Sequence, residues 1–309
     1  MTMKKTITNI LGAAMLLIPT FAGAQALPFV AADMNAAALG KAGANAVETS
    51  SIAYSAFSNA AAIPFADAKA DFAAGYTMWQ PSAVGKNAIS LAGAYNINGK
   101  FGVAAAFQYG MNPAYDIADA GGTLKGTYSP KDMQVNAAFA YRFLPFLSVG
   151  VNAGYASSSL AEGSSYGTFV ADAYLMGCFS DFKVALGVAN LGGGVTSAGG
   201  AKFSLPSSVN LGAGYGKVFA EKHGIDVQLD ADYYFEGGVS AAVGAGYTFN
   251  DLVSVRAGYR YGGESPVPSF ASVGLGVKFI GIRLDAAYLV ASGNSPMKNT
   301  LAVGLGYSF

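Results

Sequence analysis

Large apolar residues alternate with small or polar ones along most of this chain, and that period of two restricts it to β structure. The clearest case is Leu301-Ala302-Val303-Gly304-Leu305-Gly306-Tyr307-Ser308-Phe309. Successive strand residues point to opposite sides. Leu301, Val303, Leu305, Tyr307 and Phe309 therefore share one face, and Ala302, Gly304, Gly306 and Ser308 share the other. A bulky face toward lipid and a small face toward a filled lumen is how the closing strand of an outer-membrane β-barrel reads.

From Asp71 onward the pattern recurs in segments of about ten residues, each ended by turn chemistry. They lie near 70–79, 87–97, 99–110, 131–143, 146–157, 166–179, 181–191, 207–219, 223–235, 238–249, 251–262, 270–279, 281–291 and 299–309. Tight joints at Asn96 to Gly99, Leu144-Pro145, Ser180-Asp181, Asn250-Asp251 and Ile280 alternate with longer Gly-, Ser- and Pro-rich pieces such as 111–130, 191–206 and 262–269. Asn98-Gly99 is a strong hairpin pair. Short periplasmic turns and longer external loops mark an outer-membrane barrel, and only the short outer connection at 235–238 departs from the rule. Small-small-Tyr endings place Tyr95, Tyr215, Tyr247 and Tyr307 at the periplasmic rim and Tyr155, Tyr259 and Tyr288 at the outer rim. These form two girdles of rings suited to the boundary between lipid and water. The expected fold is all-β, a 14-stranded antiparallel transmembrane outer-membrane β-barrel with an N-terminal plug segment.

Composition agrees. Hydrophobic residues are 52% of the 309, yet beyond the N-terminus they are dispersed by alternation, and no stretch approaches the ~20 continuous apolar residues of a spanning helix. The 41 Gly, 18 Tyr and 20 Phe, with only 12% charged residues, suit strands with aromatic belts. A formal charge of zero leaves no basic surface, so outer-membrane lipid is the expected partner and nucleic acid is not. Cys178 stands alone and reads as a small apolar strand residue.

Lys4 and Lys5 precede an apolar run from Ile10 through Phe21, and Ala22-Gly23-Ala24 supplies a small-x-small cleavage pattern. Residues 1–24 are therefore expected to be a signal peptide, with the mature chain starting at Gln25. Residues 25–69 are Ala-rich, poor in charge and without sustained alternation. They are expected to enter the barrel as a plug, because the cylinder at 70–309 has more interior than side chains alone fill.

Charges in the strands keep to one parity. Asp226, Gln228, Asp230 and Asp232 lie opposite Ile225, Val227, Leu229, Ala231 and Tyr233 in the ninth segment. Ser254, Arg256 and Arg260 point inward in the eleventh, and Lys278, Arg283 and Asp285 continue the inner set. A charge on the lipid face at mid-depth costs roughly 2 to 4 kcal/mol, so all of these are expected to face the lumen. Because both signs occur, locking of the plug is favoured over a path for a polar substrate. Nothing forms a catalytic constellation. His223 is the only histidine and falls in a predicted turn, which leaves neither a triad nor a metal site. Pieces such as Gly274-Leu275-Gly276 sit inside strands and not at phosphate-binding turns. No enzymatic activity, cofactor or metal is expected.

The N-terminal segment carries a family likeness. Leu27-Pro28-Phe29, Ala32-Asp33, Leu39-Gly40-Lys41-Ala42-Gly43-Ala44, Ser50-Ser51, Ser58-Asn59-Ala60-Ala61 and Phe65, with Tyr76-Thr77-Met78-Trp79 closing the first strand, resemble PorV-type outer-membrane proteins. The wider resemblance is to the long-chain fatty-acid transporter (FadL-like) superfamily, which implies fourteen strands and an N-terminal hatch. Asp33, Gly40, Gly43 and Asn59 are the plug-motif positions that this likeness marks. PorV-type proteins act in type IX secretion in Bacteroidetes, which implies a translocon or cargo proteins as partners. The fatty-acid transporter relatives imply instead a hydrophobic ligand. Of these, the resemblance places a non-enzymatic role in export or surface presentation first and passive uptake of hydrophobic small molecules second.

Overall fold

The structure, a computed structural model, describes residues 25–79, 85–119, 121–161, 163–196, 200–263, 265–293, 295 and 297–309. The expected signal peptide, residues 1–24, lies outside the described residues.

The strands are β1 (Ala70–Trp79), β2 (Lys86–Ile97), β3 (Phe101–Met111), β4 (Lys131–Leu144), β5 (Leu147–Ala161), β6 (Ser164–Phe179), β7 (Phe182–Leu191), β8 (Ser208–Phe219), β9 (His223–Tyr234), β10 (Gly238–Phe249), β11 (Val253–Tyr261), β12 (Phe270–Phe279), β13 (Ile282–Val290) and β14 (Leu301–Ser308). Each is antiparallel to the next, and β14 returns to β1, with Asp71 opposite Ser308 and Met78 opposite Leu301. Closure leaves no unpaired edge. The period of two is realised as two faces. In β2, buried Ala88, Ser90, Ala92, Ala94 and Asn96 alternate with exposed Ile89, Leu91, Tyr95 and Ile97.

Turn chemistry sets the hairpins. Asn98 and Gly99 both have positive φ, 55° and 62°, and the Lys100 N–H donates to the Ile97 carbonyl at 3.1 Å, a geometry that matches the strand twist. Asn250 and Asp251 repeat it at 54° and 53°. The eleventh strand therefore begins at Val253, two residues later than expected. His223, expected in a turn, is the first residue of β9, and its Nδ1 lies 2.8 Å from the Tyr247 hydroxyl. The β5–β6 hairpin is longer than its sequence pattern. Ser157 and Ser159 still pair with Gly167 and Ser165, because ladder hydrogen bonds hold polar residues in strand conformation where tertiary pairing is available. Two outer connections contain ribbons of their own, Tyr115–Ala118 with Leu124–Tyr128 and Val195–Thr196 with Lys202–Phe203.

Residues 25–69 run within the ring of strands. They form short 3₁₀ turns at Pro28–Ala31, Ala53–Ala56 and Ala60–Phe65 and one helical turn, α1 (Ala36–Leu39). Asn35 and Asn59 cap two of these, their side-chain oxygens accepting from the Ala37 and Ala61 N–H groups at 3.0 and 2.9 Å. Ile52, Tyr54 and Ile63 pack on inward Ala88, Ala104 and Ala140. Leu39 and Ala42 pack with Phe270, Leu289 and Met297. Wall glycines make room for this chain. A Cβ on Gly150 would fall 2.3 Å from the Ala61 nitrogen, and one on Gly258 would fall 2.5 Å from the Lys41 carbonyl carbon. At such contacts only glycine lets two backbones approach.

Candidate functional site

Two kinds of space remain inside. At the outer mouth is a pocket of about 590 Å³ bordered by Leu27, Phe29, Trp79, Tyr115, Leu160 and Met297. Residues from the first and last quarters of the chain meet there because β1 closes on β14. Tyr166, Val267, Pro28 and Pro266 extend the apolar lining. One wall is polar. Lys86 pairs with Asp132, whose other oxygen accepts from the Ser158 hydroxyl at 2.7 Å, and the Lys86 ammonium stands 5.2 Å from the centre of the Phe29 ring. With its one charged pair neutralised, this wall leaves the pocket suited to an apolar or amphipathic guest.

Below it, the seam between residues 25–69 and the wall is polar, with a chamber of about 110 Å³ on each side of the stretch around Lys41. The turn Pro28–Ala31 and Ala32 separate the outer pocket from the upper chamber, and Ala32 borders both.

The residues singled out by parity separate into groups. Arg260 donates from Nε to the Ala42 carbonyl at 3.0 Å, from Nη2 to the Gly43 carbonyl at 3.2 Å, and from Nη1 to Asp232 at 3.2 Å and Ser240 at 2.8 Å. One Asp230 oxygen accepts from the Asn45 and Ala46 N–H groups at 2.8 and 2.9 Å. Asp226 accepts from the Lys41 ammonium at 2.9 Å, which also meets Glu48 at 2.6 Å. Burial opposes the charge on Glu48, but Lys41 holds its carboxyl well below the usual range. Arg256, Arg283 and Asp285 bond one another and Asp71 across β11, β13 and β1, at 2.7 to 3.2 Å. Lys278 joins neither set. It pairs with Asp251 at the exposed periplasmic rim.

The motif positions lie on the same seam. Asp33 accepts from the Asn35 N–H at 2.8 Å and the Asn45 side chain at 2.6 Å. Burial pushes its carboxyl up to about 6, against the pull of the Asn35 N–H and of Arg260. Gly40 lies against Gly274, where a Cβ would meet the Gly274 Cα at 3.0 Å. Gly43, at φ 74°, presents its carbonyl to Arg260. Asn59 donates to the Ala46 carbonyl at 2.7 Å.

Sequence reasoning did not single out Lys41, Glu48, Asp71 or the outer pocket. Lys41 had a readable signal, a lone cation in an Ala- and Gly-rich stretch. Asp71 shares the inward parity of Ala73, Gly75 and Thr77. The pocket had none, since its lining is contiguous only after closure.

A closed antiparallel barrel with an apolar exterior, a polar inner seam and an inserted N-terminal chain is a transmembrane β-barrel of the outer membrane. Among solved structures it is similar to the Pseudomonas putida toluene transporter TodX, with a TM-score of 0.58 and 12% identity over 85% of this chain and 94% of that one. It is also similar to the Ralstonia pickettii toluene transporter TbuX, with a TM-score of 0.57 and 11% identity over 87% and 97%. A Pseudomonas aeruginosa FadL homologue matches with a TM-score of 0.52 and 13% identity over 93% and 97%. At that identity the likeness is one of fold alone, that of an outer-membrane β-barrel. No protein-family model matches the chain, and no curated protein matches it in sequence.

Proposed function

We propose that this protein is a passive channel for small hydrophobic molecules, with the outer pocket as the place of first capture. The observation that carries this reading is the pocket itself. Its volume of about 590 Å³ falls in the ~300–1,000 Å³ span of small-molecule sites, and its apolar lining with a few polar groups matches such sites in kind. That TodX and TbuX are toluene transporters agrees with this reading. Residues 25–69 act as the plug of the barrel at 70–309, exported behind a signal peptide at 1–24. The contacts of Arg260, Asp230 and Asp226 with Ala42 to Ala46 and Lys41 are its lock. Passage then requires the turn Pro28–Ala31, the partition between pocket and chamber, to shift. A PorV-type role in type IX secretion rests on the N-terminal motif alone and ranks second.

Trp79 is the single tryptophan and lines the pocket, so its fluorescence is a site-specific reporter. Titration of the detergent-purified protein with toluene, and separately with a long-chain fatty acid, is expected to give a saturable change that Leu160→Glu abolishes. A linear, unsaturable response with either ligand would overturn the capture site.

A further inference from the structure

The upper chamber, distinct from the outer pocket, is negatively charged. Its lining holds four carboxylates, Asp33, Asp172, Asp230 and Asp232, and a single cationic side chain, Arg260. Arg260 pairs with Asp232, at 3.2 Å. Among the described residues Asp33, Asp172 and Asp230 form no ion pair. They accept from neutral donors instead: Asp33 from the Asn35 N–H and the Asn45 amide, Asp172 from the Asn190 N–H and the Asn152 amide, and Asp230 from the Asn45 and Ala46 N–H groups. Buried carboxylates without a counter-charge are costly to hold.

Two oxygens on this lining have no donor at all. Asp230 takes both of its N–H groups on Oδ2, and its Oδ1 is without a partner. Asn210 gives its Nδ2 to Asp232 at 2.8 Å, and its Oδ1 is likewise without a partner. Both side chains line the chamber and are more than nine-tenths buried, at 5% and 7% exposure. In the β8–β9 ladder Asn210 stands opposite Asp232 and Gly212 opposite Asp230. Asp230 Oδ1 leans across to β8, 3.3 Å from where a Cβ on Gly212 would stand. The two residues with free oxygens therefore lie on adjacent strands, one diagonal step apart. A water molecule would answer their lone pairs but leave the charge in place, whereas a cation answers both.

The donor set selects the cation. Every candidate ligand is an oxygen, which suits hard ions and not soft metals. Among the described residues no three carboxylate, His or Cys side chains form a metal-holding group, so the many-ligand cage of a calcium site is not built. The chamber of about 110 Å³ has room for an ion that keeps part of its water. We propose that the upper chamber binds a partly hydrated alkali cation, Na⁺, through Asp230 Oδ1 and Asn210 Oδ1.

Thermal unfolding of the full chain in a neutral detergent, in sodium chloride or in choline chloride of equal ionic strength, tests this. Choline supplies the same screening but no small hard cation. Sodium is expected to raise the wild-type midpoint over choline by about 2–4 °C, to saturation. Asp230→Asn keeps one oxygen for the Asn45 and Ala46 N–H groups while removing the charge and the free acceptor, and should bring the two midpoints within about 1 °C. Asp181→Asn, which removes a rim carboxylate paired with Lys217, should leave the sodium effect as it is in wild type. Sodium NMR relaxation of the folded wild type needs no variant, and should exceed that of detergent alone by an increment that saturates. Equal midpoints in the two salts, a sodium effect that persists in Asp230→Asn, sodium relaxation no faster than in detergent alone, or a larger effect from calcium chloride at the same ionic strength would each overturn the proposal.

Discussion

Arg260 is the side chain whose loss should free the inner segment most. Its guanidinium is buried, and it binds two consecutive carbonyls of that segment, those of Ala42 and Gly43, while also meeting Asp232. Replacing it with Ala removes both charged hydrogen bonds, each worth about 1.5–3 kcal/mol. It also leaves Asp232 with the Asn210 side chain, at 2.8 Å, in place of a cation. Removing one member of a buried pair costs about 3–5 kcal/mol, and water entering the adjoining chamber favours the low end. At about 1.4 kcal/mol per tenfold, the population in which residues 42–46 leave the wall should rise roughly a hundredfold to a thousandfold. Ala44, fully buried, reports this when changed to Cys in a Cys178→Ala background, through its rate of reaction with a water-soluble maleimide. Arg260→Ala should raise that rate by two to three orders of magnitude, and Arg260→Lys should recover only part, because an ammonium cannot span both carbonyls. A labelling rate within threefold of the parent would refute the idea that this side chain holds the segment.

Two further outcomes follow from the same contacts. Gly150→Ala puts a Cβ 2.3 Å from the Ala61 nitrogen, whereas Gly216→Ala meets nothing nearer than the Ile225 carbonyl at 3.8 Å. The first should lower the thermal midpoint, with a cost of about 1–3 kcal/mol, and the second should leave it unchanged; equal midpoints would contradict the close approach. Asp33, raised to about 6 from an ordinary 3.8, binds its proton more tightly when folded than unfolded, so its contribution to stability is lost as pH rises from about 4 to 6. Asp33→Asn should therefore raise the midpoint at pH 7.5 more than at pH 4.5, and the same gain at both would contradict burial as the cause.

How much of this was legible in the sequence differs from residue to residue. Parity placed Asp230 and Arg256 on the inner face, and both are there. It did not assign their partners. Asp230 binds backbone N–H groups of Asn45 and Ala46, whereas Arg256 binds Asp285 across the wall. Alternation tells which face a residue takes, but not what stands opposite it inside the cylinder. Lys278 shows the same limit in height. It is the register partner of Arg283 at the same level of the barrel, yet its ammonium reaches down to Asp251 at the rim while Arg283 reaches Asp71 and Asp285. His223 reads both as the start of the ninth segment and as a turn residue, and it is the first residue of β9; the left-handed pair Ala220-Glu221 completes the turn before it, with φ 46° and 59°, and neither residue type advertises that conformation.

The sequence by itself determined the strands, their number, their two faces and most of their joints, because each depends on neighbours within about a dozen residues and on a side-chain period of two. Only the tertiary structure decided what the interior does. Closing β1 on β14 brings Leu27, Trp79 and Met297 to one pocket, and threading residues 25–69 through the ring gives Lys41, Asp230 and Arg260 their partners. That assembly brings together positions up to 270 apart, Leu27 and Met297 lining the same pocket. No local pattern encodes them, since their energy appears only once the barrel has fixed the height and azimuth of every inward side chain.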